Sequence, residues 1–276
     1  MTEFLTVDGG TIAYDVTGAD PLVVLAPGMG NARDAYRFIT PGLVAAGYRV
    51  ATVDLRGAGE SSPTWPSYTR TDIAGDLIAV IRHLGGPAVL VGHSISGGAA
   101  TIAAAQAPDV ITGIIELAPF TRAQAIKVGD FRNSAYRKGT IRLGATMMGS
   151  HSGWSKYLDL AYPGRKPADW TAHLAKVATM LREPGRMKAL QGMMKSSPAD
   201  AGAQLENVRC PALIIEGSLD PDWADPRAEG EAIVAALPVG RGQLEMIEGA
   251  GHYPHAQYPE ETLALMLPFL KTTARA

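Results

Sequence analysis

Apolar positions in this chain gather into short segments, each followed by a polar or glycine-rich break and then, in most cases, by a stretch with helical spacing. The segments at 22–26, 48–54, 87–91, 111–118, 212–217 and 243–247 predict strands. The 22–26 run has no polar position, as befits a strand covered on both faces of a parallel sheet, whereas 111–118 is interrupted by Glu116. Residues 1–17 read as two strands around Asp8-Gly9-Gly10, a hairpin at the sheet edge. Helices are predicted at 32–46, 73–84, 99–107 and 258–270. In the second, Ile73, Leu77, Val80, Ile81 and Leu84 share one face, and Gly85-Gly86 stops it. In the last, Pro259 falls where a first helical turn tolerates proline. Alternating strands and helices predict an α/β fold with a mostly parallel central sheet and helices on both faces. The rhythm lapses between 120 and 203, where helical stretches are broken at Gly139, Pro163-Gly164, Pro167 and Pro184-Gly185. The expected organisation is a core of 1–119 and 204–276 carrying a helical insertion of 120–203.

Composition narrows this little. At 276 residues, 46% hydrophobic and 19% charged, the chain has ample material for a large core. No apolar run approaches the roughly 18 residues that cross a membrane, and the N-terminus has neither the basic start nor the apolar block of a secretory signal, so the expectation is cytoplasmic, with no membrane partner. Cys210 is the only cysteine, which excludes an intramolecular disulfide; beside Pro211 it reads as a buried small hydrophobe rather than a nucleophile. The six histidines show no ligand spacing, so no metal is expected.

Charge is unevenly spread. Residues 121–200 hold fourteen Lys or Arg against five Asp or Glu, and the remainder eleven against twenty-two. Either the insertion has a solvated basic face, partly paired with the acidic core, or its field attracts anionic substrates. The basic residues are dispersed and accompanied by no binding motif, so nucleic acid is not an expected partner.

The most informative stretch is 87–98. The apolar run ends at Val91, Gly92-His93-Ser94 follows, and small residues lead directly into a helix. A serine at such a strand–turn–helix apex is lifted out of the sheet beside the free N–H groups of the new helix. Close approach of strand and helix requires small residues two positions before and after it, here Gly92 and Ser96. A rival register places Ser96 at the apex between Ser94 and Gly98, and in a third reading Ser94 merely caps the helix. The glycine-rich loop Pro27-Gly28-Met29-Gly30-Asn31 lacks both phosphate-loop spacings.

With Ser96 in place of the final glycine, the elbow resembles the Gly-x-Ser-x-Gly turn of the α/β-hydrolases. The variant is similar to one shared by hydrolases that act as small-molecule receptors. The resemblance covers nearly the whole chain outside the insertion, which matches the family's cap in position. It implies Ser94, Asp220 and His252 as nucleophile, acid and base in the family's chain order, each at the end of a predicted strand. It also implies the backbone N–H groups of Met29 and Ile95 as oxyanion donors, although Pro27 stands where the family commonly has histidine. Asp222 and Asp225 compete with Asp220, Asp222 being a candidate cap of the following helix; His255 competes with His252; His93 reads as a packing residue. Asp54-Leu55-Arg56-Gly57-Ala58-Gly59-Glu60-Ser61 resembles a second family signature, in which Asp54 and Arg56 tie loops together.

The resemblance thus implies a serine hydrolase, acting on a carboxylic ester or related acyl bond of a small molecule without a cofactor. Relatives that open epoxides or remove halide use aspartate at the elbow, so Ser94 argues against both. Lactone, amide, peracid and carbon–carbon chemistry stay open, as does a receptor with a slow or vestigial triad. Met147, Met148, Met180, Met187, Met193 and Met194, with Trp154 and Trp170, make the cap either an adaptable pocket wall or an ordinary helical packing unit.

Overall fold

Among the described residues, eight strands build one sheet in the spatial order Glu3–Val7, Gly10–Thr17, Arg49–Val53, Leu22–Ala26, Ala88–His93, Ile111–Leu117, Ala212–Gly217 and Gly242–Ile247. The computed structural model describes residues 1–123 and 126–274. β1 (Glu3–Val7) and β2 (Gly10–Thr17) form the predicted edge hairpin, and β2 also runs antiparallel to β4; all later pairings are parallel. The core continues through β3 (Leu22–Ala26), α1 (Thr40–Ala45), β4 (Arg49–Val53), α2 (Arg70–His83), β5 (Ala88–His93), α3 (Ile95–Gln106) and β6 (Ile111–Leu117). Five further helices follow: α4 (Ser134–Met147), α5 (His151–Ala161), α6 (Trp170–Arg182), α7 (Arg186–Lys195) and the short α8 (Ala199–Gly202). The chain then returns as β7 (Ala212–Gly217), α9 (Pro226–Ala236), β8 (Gly242–Ile247), α10 (Pro254–Gln257) and α11 (Pro259–Thr273). No described helix is long and apolar enough to cross a membrane.

The unbroken apolar strands are explained by layers on both faces. Along β3, Leu22, Val24 and Ala26 pack with residues of α2 and α3, while Val23 and Leu25 pack with Leu43 of α1 and Met266 and Leu270 of α11. Glu116, the charge inside β6, accepts hydrogen bonds from the hydroxyls of Thr101 and Thr121, and burial pushes its carboxyl up to about 7.

Three predicted helices start elsewhere, α3 beginning at Ile95, directly after Ser94, rather than at 99. The segment 32–46 is a short turn at Arg33–Tyr36 followed by α1, since Pro41 supplies no N–H and belongs in a first turn. The 73–84 helix begins earlier, at Arg70, because Thr69 and Asp72 form a capping box: Thr69 Oγ1 accepts from Asp72 N at 3.1 Å and Asp72 Oδ2 from Thr69 N at 2.8 Å.

β6 pairs directly with β7, Ile114 opposite Ala212, so the intervening helices add no strand. These helices share a cluster of their own: Trp154, Tyr157, Leu158, Tyr162, Val177 and Leu181 are buried together with Tyr253 from the loop after β8, and Met29 packs against them. They therefore sit on the two loops that carry Met29 and His252. Of the methionines there, Met180 is buried in this cluster, Met187 and Met194 pack against it, Met193 joins the main core and Met148 is exposed.

Candidate active site

Ser94 lies between β5 and α3 with φ 57° and ψ −119°, one of two non-glycine residues with positive φ among those described. Such a backbone costs energy and persists only where the surroundings impose it. They do so here through glycine. A Cβ at Gly92 would lie 2.1 Å from Ser96 O, one at Gly97 2.5 Å from Pro119 Cβ, and one at Gly98 2.7 Å from Phe120 O. The elbow is also tied to the exit of β6, with Ser94 N donating to Leu117 O and Phe120 N to Ser94 O, each at 3.0 Å.

Ser96 is fully buried in the first turn of α3, where its hydroxyl donates to Pro27 O at 2.6 Å. That bond commits Ser96 to bracing and leaves Ser94 at the apex. It also gives the second small position a task that glycine could not perform, fastening the elbow helix to the loop after β3.

The same loop is braced from the other side by His93. Gly28 N donates to His93 Nδ1 at 3.1 Å, which places the ring proton on Nε2, and Nε2 donates to His252 O at 2.7 Å. Burial holds this imidazole well below its ordinary pKa and hence neutral. The sequence reading gave His93 packing alone; its ring in fact links the Gly28 loop, the elbow and the His252 loop. A Cβ at Gly28 would meet His93 Nδ1 at 2.6 Å and Ser94 Cβ at 3.0 Å, so the loop lies flush against the apex. The Met29 N–H lies in this loop, and the Ile95 N–H belongs to the first turn of α3, where no intrahelical acceptor exists.

Asp220, in the turn after β7, reaches His252 in the turn after β8, with Oδ2 2.7 Å from Nδ1. Both are buried, and Asp220 Oδ1 accepts from Asp222 N at 2.9 Å. Burial opposes a charged imidazole, but Asp220 and then Asp222 outweigh it and push His252 up to about 9. Asp222 does not cap α9; Asp225 does, accepting from Ala228 N at 3.1 Å. Asp222 instead turns inward, 3.5 Å from His252 Nδ1, and accepts from the Tyr157 hydroxyl of α5 at 2.6 Å. His255 is fully buried between Tyr36 and His93, its ring without a hydrogen bond to any described residue, and burial lowers it to about 3, so it stays neutral.

Oxygen and nitrogen atoms of Asp220, Asp222 and His252 fall within 4.8 Å of one another. Asp220 Oδ2 is bonded to His252 and Asp222 Oδ2 to Tyr157. Asp54 and Arg56 tie loops: Asp54 accepts from Arg33 N and Glu60 N at 2.7 and 2.8 Å, and Arg56 grips Asp76 through two bonds of 2.8 Å. Cys210 is half-buried, and burial pushes its thiol up to about 11, away from nucleophilic use.

Aromatic rings enclose this centre: Phe120 lies 6.0 Å and Tyr157 6.5 Å from the His252 ring, and Phe120 packs on Trp223 at 4.6 Å. Ser94 and His252 are each only 2% exposed. A cleft of about 710 Å³ lies elsewhere, between α6 and the core, and its Arg33, Arg37 and Lys176 are already paired with carboxylates.

The sequence profile of the Alpha/beta hydrolase family matches residues 23–265. Among curated proteins, the chain is 26% identical to the karrikin insensitive 2 receptor IA of Petunia hybrida, over 93% of each. It is 28% identical, over 99% of its own length, to a part of the polyketide synthase ThaQ of Burkholderia thailandensis, and spans 13% of that protein. Among solved structures, a thermophilic esterase from Thermogutta terrifontis superposes with a TM-score of 0.76 at 23% identity, covering 99% of this chain and 98% of the other.

Proposed function

The chain belongs to the alpha/beta hydrolase family, and we propose that it is a serine hydrolase cleaving a carboxylic ester or related acyl bond of a small molecule. The observation that carries the reading is the His93 bridge. One neutral ring, adjacent in sequence to Ser94, hydrogen-bonds the backbone of His252 at 2.7 Å while His252 is held by Asp220 at 2.7 Å. The ring thus ties the backbone of His252 to the residue that precedes Ser94, which supports the pairing of His252 with Ser94.

In this mechanism Ser94 Oγ attacks the acyl carbon as its proton passes to His252 Nε2. Asp220 keeps the other ring proton on Nδ1 and stabilises the imidazolium. The carbonyl oxygen becomes an oxyanion, which the N–H groups of Met29 and Ile95 receive. The imidazolium then returns its proton to the leaving oxygen as the bond breaks, and water repeats the sequence on the acyl-enzyme to release the acid. An imidazolium cannot accept the serine proton. With His252 raised to about 9, kcat/KM is therefore expected to fall as pH drops through that region and to level off above it. The test is hydrolysis of a neutral aryl ester across pH 6–10 by the protein and by Ser94→Ala, with activity expected only in the former.

The similarity to a plant receptor, together with Ser96 at the second small position, favours one further reading: a ligand-binding protein whose triad turns over slowly. Strong ligand-induced thermal stabilisation without multiple turnovers would select it.

A further inference from the structure

Asp222 is a buried carboxylate that the mechanism above does not use. Its Oδ2 accepts from the Tyr157 hydroxyl at 2.6 Å and faces His252 Nδ1 at 3.5 Å, while its Oδ1 has no hydrogen-bond partner among the described residues. An unpartnered, desolvated carboxylate oxygen is costly unless a positive charge stands nearby. The nearest positive charge that could compensate this one is the imidazolium of His252.

We propose that Asp222 is a positioning residue, a second carboxylate set against His252 Nδ1 by the Tyr157 hydroxyl of α5, so that the inserted helices tune the basicity of the catalytic imidazole. The proposal rests on the reading of His252 as the base. The surroundings leave these two groups to titrate together. Tyr157, Tyr253 and Tyr136 are held neutral, burial raising all three phenols. Glu216 of β7 is neutral as well, since burial and then the neighbouring carboxylates raise it far above the usual range. His93 and His255 are neutral because burial lowers them. Asp222 itself is raised to about 6, first by burial and also by Asp220, with the His252 charge and the Tyr157 hydroxyl working in the opposite direction. Ionised Asp222 favours imidazolium, and the phenol favours ionised Asp222.

The experiment is an NMR titration of the His252 ring in the protein, in Asp222→Asn, in Tyr157→Phe and in the double variant, beside the pH profile of kcat/KM for a neutral aryl ester. Removing a charge this close should lower the His252 midpoint by about one unit or more. The acid limb of the profile should shift equally, with the alkaline plateau within about tenfold of the parent. Tyr157→Phe should move the midpoint in the same direction by less, and the double variant should match Asp222→Asn, because the phenol acts only through the carboxylate. An unmoved midpoint in folded Asp222→Asn would overturn the proposal; should that variant not fold, an unmoved midpoint in Tyr157→Phe would do so. The ring signal reports on His252 whether or not ester is turned over, so a shifting midpoint in an inactive protein would refute the hydrolase reading and leave the coupling standing.

Discussion

The elbow and the inserted helices meet at the same few residues but are held by different means. At the elbow the constraint is close backbone packing: Gly92 lies against Ser96 O, Gly98 against Phe120 O, and Ser94 takes a positive φ between them. The inserted helices meet the core mostly through side chains, although His252 N also donates to Ala161 O of α5 at 2.9 Å. Trp154 lies over Gly30, where a Cβ would come within 2.5 Å of the indole, Tyr157 reaches Asp222, Lys176 pairs with Asp34, and Asp169 pairs with Arg37. Backbone packing fixes where Ser94 stands, and side-chain contacts adjust its surroundings. Substitutions at the elbow should therefore remove activity or fold, and substitutions at the helices should mainly retune.

The largest expected effect is Ser94→Ala, a loss of ester hydrolysis on the order of 10³-fold or more with an unchanged thermal midpoint, since the hydroxyl adds little to packing. Next is Asp220→Asn, about 10²-fold or more in kcat/KM, because only the group bonded to Nδ1 at 2.7 Å fixes the tautomer of His252. Comparable losses in Asp220→Asn and Asp222→Asn at alkaline pH would erase the distinction between acid and tuner. Gly92→Ala should destabilise the fold by roughly 2–4 kcal/mol in denaturant unfolding, since its Cβ would meet immobile backbone 2.1 Å away. Smallest is Lys176→Met on the other side of the comparison. Its pair with Asp34 is largely solvent-exposed and should be worth well under about 1 kcal/mol in the same measurement.

The same contrast explains what could be read from the chain. Alternating apolar runs and helical spacing revealed the sheet and its layers, because burial on both faces leaves no polar position in a strand such as Leu22–Ala26. The small residues around Ser94 marked the elbow, because the close approach of strand and helix demands them. Three features were not legible. Pro41 shortened a helix whose apolar spacing looked continuous. His93 looked like packing because its partners, Gly28 and His252, are distant in sequence and one of them is a backbone carbonyl. Asp222 looked like a helix cap because its actual partner, Tyr157, lies in the inserted helices, whose docking leaves no periodic trace. Its proximity to Asp220 was the available signal, and it suited either role. Part of the basic excess of the insertion resolves into pairs across the seam, Lys176 with Asp34 among them, which local spacing could not show.

In the proposed reading Ser94 is the nucleophile, placed at the apex by an elbow in which Ser96 is only a brace. Reaction with a serine-directed fluorophosphonate followed by peptide mapping tests it most directly. One equivalent of label is expected on Ser94, lost in Ser94→Ala and in protein denatured before reaction. Label on Ser96, or none on folded active protein, would contradict it.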